Sequence, residues 1–362
     1  MQLRTTDKAP QIAGVSLAVP PHRLDQQQAL QAVRGLWEMH GVEYDREWLE
    51  YFFERIGVNS RHVALAPEAY AQISDFGAAN DHYIGVATEL GAEAVESALS
   101  EADLGVSEVD AIFFTTVTGV ASPSVDARII NALELPRRIQ RTPMFGLGCV
   151  GGAAGMARMS EYLRARPDHT AVLVAVELCS LTVERNDVSM ADYIAAALFA
   201  DGAAAVVGVG AEQAARTERS GPRIVDNRSA FFHDTEWVMG WEIDQNGFGL
   251  VLSGDLPEVI ETELAGEVDA FLGAHELSRD DIGAWISHPG GPKVLEAIGS
   301  ALALEGGQLD LAWESMAELG NLSSASVLDV LRRSIEGGGL GGKPGVLLAM
   351  GPGFAAEFVL LE

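Results

Sequence analysis

The order strand–turn–helix–strand occurs twice in this chain at matching spacing, and a duplication restricts the possible folds more than any other feature. In the first half Asp110 leads into AIFFTTVTG, a strand closed by a Thr/Gly turn. In the second half Gly283 leads into AWISHPGGP, a strand closed by a Gly/Pro turn. Acidic stretches, SEVD and SRDDI, precede them. Cys149 then follows Ala111 by 38 residues and Asn321 follows Ala284 by 37, each opening an amphipathic helix rich in small residues. An apolar strand comes next in both halves, Ala171-VLVAVE and Gly345-VLLAMG. The spacing predicts a duplicated α/β unit with mainly parallel strands. The join is expected near 211–230, where AEQAARTERSGPRIVDNRSA is polar and broken by Gly and Pro like a surface connection. The halves are then 1–215, carrying Cys149, and 216–362, carrying His288 and Asn321. Residues 23–56 have helical periodicity and read as an addition to the repeat. GGGLGGKPG lacks the Gly-Lys-Ser/Thr ending of a phosphate loop and reads as a connector.

Charge and cysteine content narrow the partners. The formal net charge is −28, which repels nucleic-acid backbones and anionic lipid heads. Only three lysines occur, Lys8, Lys293 and Lys343. The two cysteines, Cys149 and Cys179, provide neither a disulfide framework nor a metal-spaced pair. MQLRTTDKAP has no apolar core of a secretory signal, and no uncharged apolar run reaches membrane-spanning length. A cytoplasmic enzyme without a metal site is the expectation.

Cys149 lies between FGLG and GGAAG, at a strand-to-helix junction. A helix N-terminus there favours a thiolate, and the flanking glycines leave room for a bulky thioester. An inert buried cysteine is the alternative. Of eight histidines, His22, His40, His62, His82, His169, His233 and His275 have surface or packing settings. His288 differs: it ends the strand GAWIS and opens HPGGP, on the sheet edge where the repeat also puts Cys149. Asn321 takes in the second half the place Cys149 takes in the first; it can donate to an oxyanion or simply cap the helix after it. Together a thiol, an imidazole and an amide suit one reaction type. The thiolate takes an acyl group from a thioester, a malonyl thioester loses CO₂, and the enolate so formed attacks the bound acyl group.

The stretches FGLGCVGGAAG, ALFADGAAA, ISHPGGPKVLEAI, ELGNLSSASVL and MGPGFAAEFVLLE resemble type III polyketide synthases, the chalcone synthase-like family, over nearly the whole chain. HPGGP separates the chain from carrier-protein ketosynthases, and MGPGF lacks the second cysteine of biosynthetic thiolases. The resemblance implies a thiolase fold with α-β-α-β-α layers, a homodimer, and acyl-CoA and malonyl-CoA as substrates with no other cofactor. It implies Cys149 as nucleophile, with His288 and Asn321 polarising the thioester carbonyl. Phe199 in ALFADG matches a gatekeeper between CoA tunnel and cavity, although plain core packing also explains an apolar residue there. The second gatekeeper of plant members aligns near Leu250, and a CoA-phosphate-binding lysine near Arg55. Val117, Thr118, Ser122, Cys179, Thr182 and Ala195 fall at cavity positions, and Gly290 and Gly291 belong to the substrate-binding HPGGP turn. VELCSLT with MGWEIDQNGFGLVLS is similar to bacterial members that make alkylpyrones or alkylresorcinols from fatty acyl-CoA. Competing expectations are a single-round β-ketoacyl synthase or hydroxymethylglutaryl-CoA synthase relative, and a non-catalytic thioester-binding protein.

Overall fold

A computed structural model describes residues 8–183, 188–217, 221–244 and 247–362. Its strands in chain order are β1 (Gln11–Ala18), β2 (His22–Asp25), β3 (Ser60–Val63), β4 (Ala111–Thr116), β5 (Gln140–Phe145), β6 (Thr170–Leu178), β7 (Asp201–Val209), β8 (Ile224–Phe231), β9 (Met239–Asp244), β10 (Gly247–Leu252), β11 (Ala284–Ser287), β12 (Gly345–Gly351) and β13 (Ala355–Leu361). The first half builds the sheet β1-β7-β6-β4-β5 and the second β8-β13-β12-β11. The second order repeats the first strand for strand, lacking only a counterpart of β5.

The strands are not mainly parallel. Three pairs in these sheets are parallel (β4–β5, β4–β6, β11–β12) and four antiparallel (β1–β7, β6–β7, β12–β13, β8–β13). β12 reaches β13 through Pro352–Phe354, far too short for the crossover of a dozen or more residues that a parallel return needs. Between β6 and β7 the helix Met190–Leu198 packs on the helix Arg46–Arg55, so among the described residues no crossover helix covers the sheet there.

The helices Gly151–Ala165 and Ser326–Glu336 form the middle layer, touching both sheets. Phe76–Glu101 covers the outer face of the first sheet. Leu256–Gly273 and Pro292–Leu302 cover that of the second. This is the expected α-β-α-β-α layering. β4, β6, β7 and β12 are buried on both faces, which is why they read as unbroken apolar runs. The middle layer depends on GGAAG. A Cβ on Gly152 would lie 2.2 Å from the Ser324 carbonyl oxygen, and one on Gly155 2.4 Å from Leu173.

The polar run 211–230 is only partly a connection. Ala211–Arg216 is helical, and Ile224–Phe231 is the edge strand β8, so a division at 215/216 falls inside that helix. Residues 218–220 lie outside the described residues. β8 reads as a loop because Asp226, Asn227, Arg228 and Ser229 occupy an edge, where polar side chains are tolerated. In the added region, Leu24 and Asp25 belong to β2, and Asp25 caps the helix Gln26–His40 in a capping box with Gln28. Asp45 caps Arg46–Arg55. The glycine-rich segment links Ser326–Glu336 to β12. Among the described residues no helix is long and apolar enough to cross a membrane.

Candidate active site

Cys149 sits in the 3₁₀ turn Gly148–Val150 that leads into the middle-layer helix Gly151–Ala165. Gly148 has φ +54, and a Cβ there would meet the Pro352 ring at 2.5 Å. This close approach seats the cysteine turn against the MGPGF loop. His288 directly follows β11, its backbone N–H donating to Leu348 O at 2.9 Å. Asn321 precedes the turn Ser323–Ala325, which leads into the other middle-layer helix.

The repeat aligns these residues only loosely. Cys149 lies two residues before its helix and Asn321 five before its own, so by helix count Ser324 is the positional match of Cys149. All three side chains nevertheless line one cavity of about 560 Å³. They are almost buried, at 9% exposure for Cys149, 5% for His288 and 1% for Asn321.

Asn321 resolves its two alternatives by splitting them. Its Oδ1 accepts the Ser323 N–H at 2.8 Å, a capping role. That bond turns Nδ2 away, and Nδ2 has a long 3.5 Å contact to Gly290 O. The amide can therefore cap with its oxygen and donate with its nitrogen. Neither His288 ring nitrogen is hydrogen-bonded within the described chain, and burial lowers the imidazole to about 3, so it rests neutral.

Burial works against the expected thiolate. Burial pushes the Cys149 thiol up to about 12, with the nearby Glu177 carboxylate adding to the rise. The Ser323 hydroxyl, 3.7 Å from Sγ, opposes it. The favourable helix N-terminus is outweighed by removal of the sulfur from water. The thiol and the unpartnered imidazole of His288 line the same cavity.

Glu177 escaped the sequence reading, although it stands in VELCSLT. It is the penultimate residue of β6, fully buried, and accepts from Val117 N–H at 3.0 Å, Thr118 Oγ1 at 2.9 Å and the Ser324 hydroxyl. Burial raises its carboxyl to about 7. Between the unfolded value near 4.5 and about 7 the folded state therefore holds the extra proton, and stability falls as pH rises through that window. The full effect is on the order of 3 kcal/mol. Glu177→Gln mimics the protonated form, so the drop in melting temperature between pH 5 and pH 8 should be smaller in the variant. Parallel pH profiles would show that Glu177 ionises normally in the fold.

Val117, Thr118, Phe199, Cys179, Leu250, Arg55, Gly290 and Gly291 line the same cavity as Cys149. Thr182 and Ala195 instead line an adjoining cavity of about 90 Å³. Phe199, Cys179, Leu250 and Trp241 face both and form the waist between them. Ser122 lines neither. β6 stops at Leu178, buried on both sides, and Cys179 opens a 3₁₀ turn. Burial raises its thiol well above the ordinary range. Lys293, also on the cavity wall, was detectable as one of three lysines, placed directly after HPGGP. Ser323 carried no signal beyond its place in NLSSAS.

A cysteine-bearing turn between two sheets of matching strand order, sharing one apolar cavity with an imidazole and an amide, fits a thiolase-fold condensing enzyme that transfers acyl groups. The chain matches the chalcone and stilbene synthase N-terminal domain over residues 4–213 and the C-terminal domain over 223–362, and it belongs to that family, the type III polyketide synthases. A 1,3,6,8-tetrahydroxynaphthalene synthase of Streptomyces peucetius subsp. caesius is 47% identical, covering 98% of this chain and 94% of the relative. The crystal structure of 1,3,6,8-tetrahydroxynaphthalene synthase from Streptomyces coelicolor A3(2) superposes with TM-score 0.88 at 28% identity, covering 97% of this chain and 98% of that one. The alpha-pyrone synthesis polyketide synthase-like Pks18 of Mycobacterium tuberculosis is 28% identical over 97% of this chain and 90% of its own.

Proposed function

We propose that this synthase condenses malonyl-CoA units, by way of a Cys149 thioester, into a compact aromatic polyketide of the tetrahydroxynaphthalene kind. The observation that carries this is 47% identity along almost the full chain to a synthase of that product. Cavity size agrees. About 560 Å³ suits a folded polyketide, whereas the side cavity beyond the waist offers only about 90 Å³.

In the proposed cycle Cys149 Sγ attacks the starter thioester, its proton passes to His288, and CoA leaves as the thiol after taking that proton. Malonyl-CoA then loses CO₂. Asn321 Nδ2 and His288 stabilise the enolate oxygen, and the enolate carbon displaces Cys149 from the acyl group, extending the chain by two carbons. Arg55 and Lys293 are the cations on the cavity wall available to CoA phosphates. The exposed edge strand β5, where Phe145 is 49% accessible, is a surface for the second subunit of a homodimer.

The fatty acyl starter and alkylpyrone product are a second possibility, favoured by the apolar wall of the side cavity and by the pyrone-forming relative. Products from malonyl-CoA alone and from malonyl-CoA with a graded series of acyl-CoA starters, identified by mass, separate the two. An aromatic product from malonyl-CoA alone is expected. Product only with long starters would replace it with the alkyl reading. A diketide as sole product would instead indicate a single-round synthase, and no acyl adduct on Cys149 a binding protein.

Cys179→Phe carries the same question to the waist. Filling this tight position costs about 1–3 kcal/mol. The loss should fall on long starters and spare short ones, since only long chains pass the waist. An unchanged ratio of long-chain to short-chain turnover would remove Cys179 from the acyl path.

A further inference from the structure

We propose that Arg61 is the positioning residue that fixes the Phe199 waist and, through the same strip of backbone, the Asn321 loop. The inference rests on the condensing cycle above and adds a residue that lies outside the Cys149 cavity, on the wall of the side cavity beyond the waist.

Arg61 stands on β3, which pairs with β2 at the start of the added region, and is 3% exposed. A buried guanidinium must spend its donors on acceptors inside the protein. Here the two terminal nitrogens serve the end of the helix Met190–Leu198, while Nε has no hydrogen-bond partner among the described residues. Nη1 donates to Ala196 O and Phe199 O, both at 2.7 Å, and Nη2 donates to Ala197 O. These carbonyls are otherwise the orphaned acceptors of a helix C-terminus, and a cation there is favoured by the helix dipole. Gln26 braces the arrangement. Its Oε1 accepts from Nη2 at 2.6 Å and its Nε2 donates to Ala197 O at 3.0 Å. The Phe53 ring lies under the guanidinium at 5.5 Å.

The clamped segment is the one that joins both functional features. Asn321 N–H donates to Leu198 O and Ala200 N–H donates to Asn321 O, each at 2.9 Å, so Leu198–Ala200 pairs with the Asn321 backbone. Asp201, the next residue, ties the strip to Ser180 N–H at 2.8 Å and to Ala64 N–H. Arg61 and Asp201 are opposite buried charges. Burial lowers Arg61 to about 10, which leaves it charged at neutral pH. Arg61 thus holds one side of a short strip whose other side is the backbone of the enolate-stabilising amide, and whose central side chain divides the two cavities.

Arg61→Lys keeps the charge but offers one ammonium where the guanidinium spans three carbonyls and a glutamine. Gln26→Met removes only the brace and is the milder change. The readouts are kcat/KM for dodecanoyl-CoA relative to acetyl-CoA as starters, and kcat and KM for CO₂ release from malonyl-CoA. Misplacement of a positioned group by about 1 Å costs up to about 10²-fold, so the starter ratio should move about tenfold toward the long chain in Arg61→Lys. It should move less, in the same direction, in Gln26→Met. The kcat of CO₂ release should fall while its KM holds. A starter ratio unchanged in both variants overturns the proposal. If Arg61→Lys does not fold, the ratio in Gln26→Met decides alone. Wild-type enzyme that forms no product from malonyl-CoA with either starter would overturn the condensing cycle itself. That outcome is distinct from an active wild type with unmoved ratios.

Discussion

Cys149→Ala should form no polyketide while still releasing some CO₂ from malonyl-CoA. The condensing cycle needs a covalent acyl carrier, because the enolate must meet an acyl group held within bonding distance in a closed cavity. The only other cysteine, Cys179, is an unsuitable substitute. It lies at the waist, burial pushes its thiol well above the ordinary range, and no middle-layer helix starts beside it. Decarboxylation asks less of the site. It needs donors at the enolate oxygen, and His288 and Asn321 remain in the variant. Removing the Cys149 thiol also removes a neighbour of the buried Glu177, so the melting temperature should be followed alongside activity. Product analysis by mass and CO₂ release from labelled malonyl-CoA check the two halves of the expectation separately. Full product from Cys149→Ala would mean that the acyl group rides on another residue.

Loss of either donor should be almost as damaging. His288→Ala and Asn321→Ala are each expected to lower CO₂ release about 10²–10³-fold, the usual cost of one oxyanion donor. The two variants should differ in stability. His288 makes no side-chain hydrogen bond within the described chain, so its removal leaves no orphaned partner. Asn321→Ala strips the Ser323 N–H of its acceptor, and losing such a cap costs about 1 kcal/mol. Asn321→Asp separates the two roles: a carboxylate can still accept from Ser323 but cannot donate to an enolate. Activity should stay low in Asn321→Asp while stability recovers relative to alanine. Near-normal CO₂ release in His288→Ala and Asn321→Asp would reduce these residues to packing and capping.

The duplicated order of strands and helices was legible in the sequence because period and burial leave marks on residue choice. Strands buried on both faces must be continuous apolar runs, and middle-layer helices that approach a neighbouring turn to within a Cβ radius must carry Gly and Ala. That Cys149, His288 and Asn321 share one cavity was legible for the same reason, since each stands at an element boundary marked by glycine or proline. Direction of the strands was not. Whether β6 and β12 return parallel or antiparallel depends on what the intervening segment packs against, and that is a property of distant residues. Protonation was not legible either. A helix N-terminus next to Cys149 argues for a thiolate, but the outcome was set by desolvation, which exists only once both sheets close over the sulfur. Asn321 could be read as a cap or as a donor until the Ser323 N–H fixed which end of its amide faces the cavity. Arg61 and Glu177 carried the least local signal. Their environments are assembled from segments up to 147 residues away, so only the folded chain could give either a role.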